Sequence, residues 1–420
     1  MTLTMLPLPE APPSLPLTNV MKTRTLFMTL SPLLLATTGH GAASTGTPFY
    51  GDPPDQHHPW AIHDRNRPQP KRVEPGTFSS ATEPGKPPSD AIVLFDGTPA
   101  SLEQWEADTK PGEPTAPTKW IVSDGAMECV PKSGYIRTKE QFGDCQLHVE
   151  WAAPKRVQGD SQGRGNSGIF LMGLAEVQVL DNYNNPTYAD GFAASVYGVN
   201  PPMANALHPP GEFQVIDIIF RRPVYQSGRV VDPGYLTVFC NGVLVQDHTP
   251  LEGPTGHLSR SMAKPFPAVG PLKLQDHGNP VRFRNIWYRP LPPRASEGGT
   301  DGVLTAEATA AARKQIAAAI RADAVKLKGN ATAEMLRLAE SLVYEKDANA
   351  AVEVEKMAES YATSVKALSS EALETRKNEI LNVLRSFKYL AKWNLVKPGF
   401  APLAVLDQIE KTQGWDKPKQ

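Results

Sequence analysis

Between Asp90 and about Pro293 the apolar positions come in short runs separated by turns, with no long helical period. The runs include Ile92 to Phe95, Trp120 to Val122, Cys145 to Trp151, Phe213 to Phe220, Tyr235 to Cys240, Val243 to Gln246 and Val281 to Tyr288. In Cys145-Gln146-Leu147-His148-Val149-Glu150-Trp151 apolar and polar residues alternate without a break, the period of a strand with one face in a core. Asn241-Gly242 between two runs predicts a two-residue hairpin turn that needs positive φ, and Asp124-Gly125 predicts a similar one. Many short strands at this spacing predict a mainly β domain, an all-β sandwich.

From about Thr305 the period becomes helical. Ile316, Ile320, Asp323 and Leu327 share one face, as do Met335, Leu338 and Leu342, then Val354, Met357, Tyr361, Val365 and Leu368, then Leu373, Ile380, Leu384, Phe387 and Ala391. The pattern predicts a separate all-α tail of three or four amphipathic helices over 303–420. Its stripes serve either as the core of a small bundle or as a surface for a protein partner. A boundary falls at Pro290, Pro292 and Pro293, so the β domain is expected to span 90–294.

Within the β region the densest polar pattern is Gly165 to Asp181, GNSGIFLMGLAEVQVLD. A polar turn flanked by glycines leads into an apolar run and then into Glu176-Val177-Gln178-Val179. There the valines can enter a core while Glu176 and Gln178 project from the opposite face. Such a face is either a polar binding surface or the wet side of an antiparallel sheet.

Upstream of the β domain the composition changes. Ten prolines fall at 48, 53, 54, 59, 68, 70, 75, 84, 87 and 88, with few aliphatic residues, and predict an extended linker over 44–89. His57, His58 and His63 lie in it without a folded frame to set ligand geometry, so no metal site is read there. Before it, Lys22 and Arg24, the apolar run Leu26 to Ala36 and the small residues Gly41-Ala42-Ala43 resemble a secretory signal peptide. Residues 1–43 are therefore expected to be an N-terminal extension and signal, with Met21 as the start or the first 20 residues tolerated, and the mature protein secreted or periplasmic. The apolar run is too short for a membrane span, and no cysteine follows it to carry a lipid. A net charge of -1 provides no electrostatic footprint for nucleic acid or an anionic membrane. Cys129, Cys145 and Cys240 show no CxxC spacing, and their odd number allows at most one disulfide.

The order of motifs resembles one bacterial family. Leu94-Phe95-Asp96-Gly97, Trp105, Trp120, Asp124-Gly125 and Tyr135-Ile136-Arg137-Thr138-Lys139 come first. Gly165 to Phe170, Glu176 to Asp181, Pro209-Pro210-Gly211-Glu212, Asn241-Gly242-Val243 and Leu274 to Ile286 follow. The series is similar to the 3-keto-disaccharide hydrolase domain family, also described as 3-keto-glucoside 1,2-lyase/3-keto-2-hydroxyglucal hydratase. The resemblance implies a concanavalin A-like jelly-roll sandwich of two antiparallel sheets with carbohydrate on one of them. It leaves the proline segment and the helical tail uncovered.

It also implies a chemistry. A C3 ketone acidifies the hydrogen on C2, whose removal lets the glycosidic oxygen leave C1, and water added to the glycal completes a net hydrolysis. This needs a base, donors for the enolate oxygen and a proton for the leaving group, with no redox cofactor. On Leu272-Lys273-Leu274-Gln275-Asp276-His277 the leucines can face the core while Lys273, Gln275 and His277 share the other face. Glu176 and His277 are the expected catalytic pair, His277 because imidazole titrates near neutrality. Asn166, Gln178, Gln275, Lys273 and Arg137 are the expected substrate-binding residues. His277 has an alternative as a turn residue before Gly278-Asn279-Pro280, and Arg137, Arg282 and Arg284 reach either the groove or plain surface. Two other readings stand beside this one. A retaining glycosidase would need a second carboxylate about 5 to 5.5 Å away, whereas the strand carries Glu176, Gln178 and Leu180. A non-catalytic carbohydrate-binding module would use aromatic platforms such as Trp105 or Trp120.

Overall fold

The computed structural model describes residues 51–416 apart from 111, 261–262, 295–296, 298 and 300–302. The expected extension and signal peptide lie outside the described residues. In chain order the β region holds β1 (Ile92–Phe95), the short helix α1 (Pro99–Leu102), β2 (Trp105–Ala107), β3 (Ile121–Ser123), β4 (Ala126–Glu128), β5 (Ile136–Phe142), β6 (Cys145–Ala152), β7 (Ser167–Leu171), β8 (Ala175–Val179), β9 (Gln214–Arg221), β10 (Val224–Gln226), β11 (Arg229–Asp232), β12 (Gly234–Cys240), β13 (Val243–Leu251), β14 (Gly270–Leu274) and β15 (Arg282–Pro290).

These strands form two main sheets, antiparallel throughout. One has eight strands in the order β13-β12-β9-β6-β15-β4-β3 with β1 on β15, and the other has five in the order β2-β5-β14-β7-β8. β10 and β11 make a separate ribbon. The two predicted hairpins are present: Asn241 and Gly242 have φ of 51° and 79° between β12 and β13, and Asp124 and Gly125 have φ of 48° and 72° between β3 and β4. Positive φ at both central residues matches the right-handed strand twist, which is why Asn-Gly and Asp-Gly serve.

Alternation decides what each face does. Leu147, Val149 and Trp151 of β6 and Ile216 and Ile218 of β9 meet Ile169 of β7, Val177 and Val179 of β8 and Leu272 and Leu274 of β14 in one core between the sheets. Trp105 and Trp120 belong to this core, with their indole N–H groups donating to Leu94 O (2.9 Å) and Gly134 O (3.1 Å). They are structural pillars and not exposed sugar platforms. The three cysteines are buried and unbridged, so the single disulfide that their number allowed is not formed.

The tail forms α2 (Ala306–Lys326), α3 (Ala331–Ser341), α4 (Ala348–Lys366), α5 (Ser370–Thr375), α6 (Lys377–Lys392) and α7 (Ala401–Thr412) around a second core. Thr305, Asn330, Asp347 and Ser369 cap α2 to α5 by accepting from first-turn amides. More segments exist than the stripe count predicts. The run from Leu373 to Ala391 is cut at Arg376, whose ψ of 7° leaves the helix, and α7 buries only Pro402 and Leu406, too thin a stripe to read. Among the described residues no helix is long and apolar enough to cross a membrane.

The described part of the proline-rich segment, 51–89, forms no helix or strand, yet it is bound at both ends. Toward the sandwich, Ser79 Oγ donates to Glu150 Oε1 (2.7 Å), and Arg284 donates to Thr82 O (2.7 Å) and Ser80 O (3.0 Å). Toward the helices, Arg65 pairs with Glu340, Asn66 donates to Glu340 Oε1 (2.9 Å), Tyr344 donates to Asp64, and Trp60 packs on the helical core. Glu150 and Glu340 are buried to within 1% of full occlusion, and a buried carboxylate is tolerable only when paired and hydrogen-bonded. The strap supplies part of that pairing on each side.

Candidate active site

The face of the five-stranded sheet turned away from the core is polar across its width. Strand register aligns Glu106, Arg137, Lys273, Phe170 and Glu176 in one row running from β2 to β8. In the next row Gly168 lies opposite Gln178, and Gln275, just past β14, donates its backbone N–H to Gly168 O (3.1 Å). Tyr135 joins this row through a hydrogen bond from Gln275 Nε2 to its hydroxyl (2.6 Å). The two rows therefore bring Glu176, Gln178, Gln275 and Tyr135 together at the β7–β8 end.

There a cavity of about 300 Å³ is lined by Tyr135, Gln162, Asn166, Phe170, Glu176, Gln178, Tyr188, Tyr197, Thr255, Gly256, His257, Gln275 and His277. Glu176 is the carboxylate of this lining. Its side chain is 6% exposed and no ion pair reaches it among the described residues, so burial raises its pKa to about 8. The Gln178 amide takes the orientation its neighbours favour when its nitrogen faces the acceptors Ser167 O (3.0 Å) and Glu176 Oε1 (3.2 Å), where it can donate to both. Gly168 makes room for the carboxylate, because a Cβ there would meet Glu176 Oε1 well inside contact distance.

Neutral groups surround this acid. Asn166 donates to Gln162 O (2.7 Å), and its own Oδ1 is buried without a partner, as is Gln275 Oε1. Orphaned buried acceptors cost free energy, and both belong to residues that line the cavity. Because Tyr135 accepts from Gln275, its own O–H is left to donate to a ligand oxygen. Burial, the largest influence on Tyr135, holds that phenol protonated above its ordinary range.

The opposite wall comes from loops. The Tyr197 hydroxyl lies 2.9 Å from the Tyr188 hydroxyl and 2.9 Å from His257 Nδ1. Its backbone N–H donates to Glu176 O (3.1 Å), while Gln178 N donates to Ser195 O (3.0 Å) and Ala194 N to Gln178 O (2.8 Å). The segment thus runs as an extra edge along β8 and holds the Tyr197 ring in register with Glu176. A second cavity of about 330 Å³ shares Tyr188, Tyr197, Gly256 and His257 with the first and continues past Asp190, Ser259 and Arg260.

Of the residues expected from the sequence, Glu176, Gln178, Asn166, Gln275 and His277 line the cavity, His277 on its exposed rim. Lys273 and Arg137 share the face but lie outside the lining, where Lys273 Nζ pairs with Asp108 (2.8 Å) and Arg137 with Glu106 (2.8 Å). Arg284 is on the other sheet, bound to Glu150 (2.7 Å), and Arg282 donates to Ser123 O (2.8 Å). Asp181 is tied to Arg164 (2.7 Å), and Asp276 accepts from the N–H groups of Gly134 and Gly278. Tyr135, Gln162, Tyr188, Tyr197, Thr255 and His257 were not singled out from the sequence as site residues. Tyr135 shares parity with Arg137 and was reachable by that rule; the others sit in irregular loops with no period to read.

The outer face of the eight-stranded sheet carries a contrasting cluster. His148 binds Asp217 (2.7 Å) and Glu150 (3.3 Å), and Glu150 also accepts from Asn285 (2.6 Å). Burial pushes the His148 pKa down, but hydrogen bonds to Asp217 and Glu150 outweigh it and leave the group at about 9. Both ring nitrogens of His148 and both carboxylate oxygens of Glu150 are engaged, and through Ser79 and Arg284 the cluster fastens the strap.

The profile of the 3-keto-alpha-glucoside-1,2-lyase-like domain matches residues 90–289. A Parabacteroides distasonis protein assigned as a glycosyl hydrolase is similar at 42% identity, covering 54% of this chain and 93% of its own, with a TM-score of 0.48. The alginate lyase Aly36B is similar at 9% identity, covering 48% and 97%, with a TM-score of 0.30. A prokaryotic β-1,3-1,4-glucanase from a mouse hindgut metagenome is similar at 12% identity, covering 45% and 94%, with a TM-score of 0.25. No curated protein sequence matches the chain.

Proposed function

Starting from the membership of residues 90–289 in the 3-keto-alpha-glucoside-1,2-lyase-like family, a carbohydrate-active, glycosyl-hydrolase-like group, we propose that this domain cleaves 3-keto-glycosides by elimination and hydration. The reading includes the jelly-roll form of the sandwich and action after export. The observation that carries it is a single buried carboxyl, Glu176, among neutral donors and orphaned acceptors, with no second carboxylate in the lining. Direct displacement with retention calls for two carboxyl groups about 5 to 5.5 Å apart. Elimination calls for one base and an oxyanion donor.

In this scheme the keto sugar sits in the first cavity. The Glu176 carboxylate takes the C2 hydrogen, and the C2–H pair becomes the C1=C2 bond. The charge on the C3 oxygen is met by Tyr135 O–H, while Asn166 Oδ1 and Gln275 Oε1 accept from sugar hydroxyls. A base whose pKa lies near neutrality balances availability against strength, and burial of Glu176 provides that poise. His277, on the solvent-exposed rim, activates the water that adds to C1.

The test follows the C2 hydrogen. With the purified protein and a 3-keto-glucoside, product formed in D₂O should carry deuterium at C2, and C2-deuterated substrate should react more slowly where proton removal limits the rate. Full retention of the original C2 hydrogen during turnover would exclude elimination with external proton exchange, and retention together with no isotope effect from C2-deuterated substrate would sink the mechanism. Binding of keto sugars without turnover would favour a carbohydrate-binding module.

A further inference from the structure

We infer that Tyr197 is the acid that protonates the departing glycosidic oxygen, with His257 restoring its proton, and that the leaving group occupies the cavity beyond them. This rests on the lyase reading above and assigns the one proton that reading leaves without a source.

The argument is positional. A glycosidic oxygen sits between two groups, and Glu176 lines only the cavity of about 300 Å³, so the keto sugar belongs there and the leaving group belongs in the neighbouring cavity of about 330 Å³. The oxygen joining them must then pass the shared wall. Tyr197 on that wall presents a hydroxyl, held 2.9 Å from His257 Nδ1 and 2.9 Å from the Tyr188 hydroxyl. The three backbone bonds between 194–197 and β8 fix its height against Glu176. His257 is exposed, which connects the hydroxyl to solvent.

The step balances. Glu176 gains the C2 proton, the C1–O pair leaves on the glycosidic oxygen, and that oxygen takes the Tyr197 proton as an alcohol. The phenolate then takes the proton on His257 Nδ1 as the ring's Nε2 takes one from solvent. The substrates implied are glycosides of weakly acidic alcohols, including other sugars, because such oxygens cannot leave as anions. Asp190, Ser259 and Arg260 in the outer cavity offer hydroxyl partners for such a group.

Leaving-group acidity tests the assignment on the full chain. Tyr197→Phe should lower turnover of methyl 3-keto-glucoside by about 10²-fold or more and that of the 4-nitrophenyl glycoside at least about tenfold less, since nitrophenolate leaves without a proton. Equal losses on both substrates would overturn the assignment and make Tyr197 a positioning residue. If Tyr197→Phe fails to fold, His257→Ala at its exposed position decides by the same ratio: a leaving-group-dependent loss supports the relay, and a flat one overturns it. Wild-type protein inert on both glycosides would instead overturn the lyase reading, and this assignment with it.

Discussion

Gly168 lies beneath the Glu176 carboxyl in the β7–β8 ladder, and the space where its side chain would be is filled by that carboxyl. A Cβ at 168 would come 3.1 Å from Glu176 Cδ and 2.8 Å from Phe170 Cε2, closer still to Glu176 Oε1. The backbone at 168 is ordinary strand, so alanine meets no conformational penalty there and only the neighbours must move. Gly168→Ala should therefore displace the proposed base, with overpacking costing about 1–3 kcal/mol of stability and reduced chain entropy in the unfolded state offsetting part of it. Turnover should fall by about 10²-fold, the usual cost of misplacing a reacting group by an ångström. Unchanged kcat in a well-folded variant would remove Glu176 from the chemistry.

Strand parity made the floor of this site legible. Glu176 and Gln178 share a face because Val177 and Val179 must be buried, and Gln275 and His277 follow from Leu272 and Leu274 in the same way. Parity alone could not separate Gln275 from Lys273, because both point outward and only the register with β5 and β7 shows which row meets Glu176. Tyr197 and His257 come from irregular loops brought together by hydrogen bonds at a distance of 60 residues in sequence, which no local period encodes. Trp105 and Trp120 could serve the alternative of a binding module only if exposed, and their N–H groups instead find backbone carbonyls inside the core, a burial that sequence does not reveal.

The strap gives a prediction about boundaries. A fragment of residues 90–294 keeps every strand but loses the hydroxyl of Ser79 on Glu150 and the carbonyls of Ser80 and Thr82 on Arg284. A fragment beginning at residue 74 keeps them. Hydrogen bonds to charged groups are each worth about 1.5–3 kcal/mol. The longer fragment should melt several degrees higher by calorimetry. Equal melting temperatures would show that water replaces the strap without loss.

Export is testable directly. Lys22, Arg24 and the apolar run to Ala36 lead us to expect a mature N-terminus after about Ala43. Mass spectrometry of the protein recovered from its natural host should find it there, in an extracytoplasmic fraction. An intact Met1 in the cytoplasm would count against export and against a carbohydrate source outside the cell.

The raised pKa of Glu176 has opposite consequences for activity and stability. In the unfolded chain the carboxyl titrates near its ordinary value of 4.5, and burial in the folded protein moves it to about 8. Between these values the folded state holds a proton that the unfolded state has lost, so stability falls as pH rises through that window. The penalty is absent below the unfolded value and complete above the folded one. Each pKa unit is worth about 1.4 kcal/mol, so the full penalty is on the order of a few kcal/mol. Glu176→Gln keeps the shape and removes the charge. Its stability relative to wild type should therefore be nearly equal at pH 4 and exceed it by a few kcal/mol at pH 8.5, measured by urea unfolding at both. The activity of the wild type should move the other way, with kcat/KM on a 3-keto-glucoside rising with pH toward about 8 as the base ionises, and Glu176→Gln should lose about 10²-fold or more throughout. A stability difference independent of pH would mean that Glu176 ionises as freely when folded as when unfolded, and would remove the physical basis for its role as a poised base.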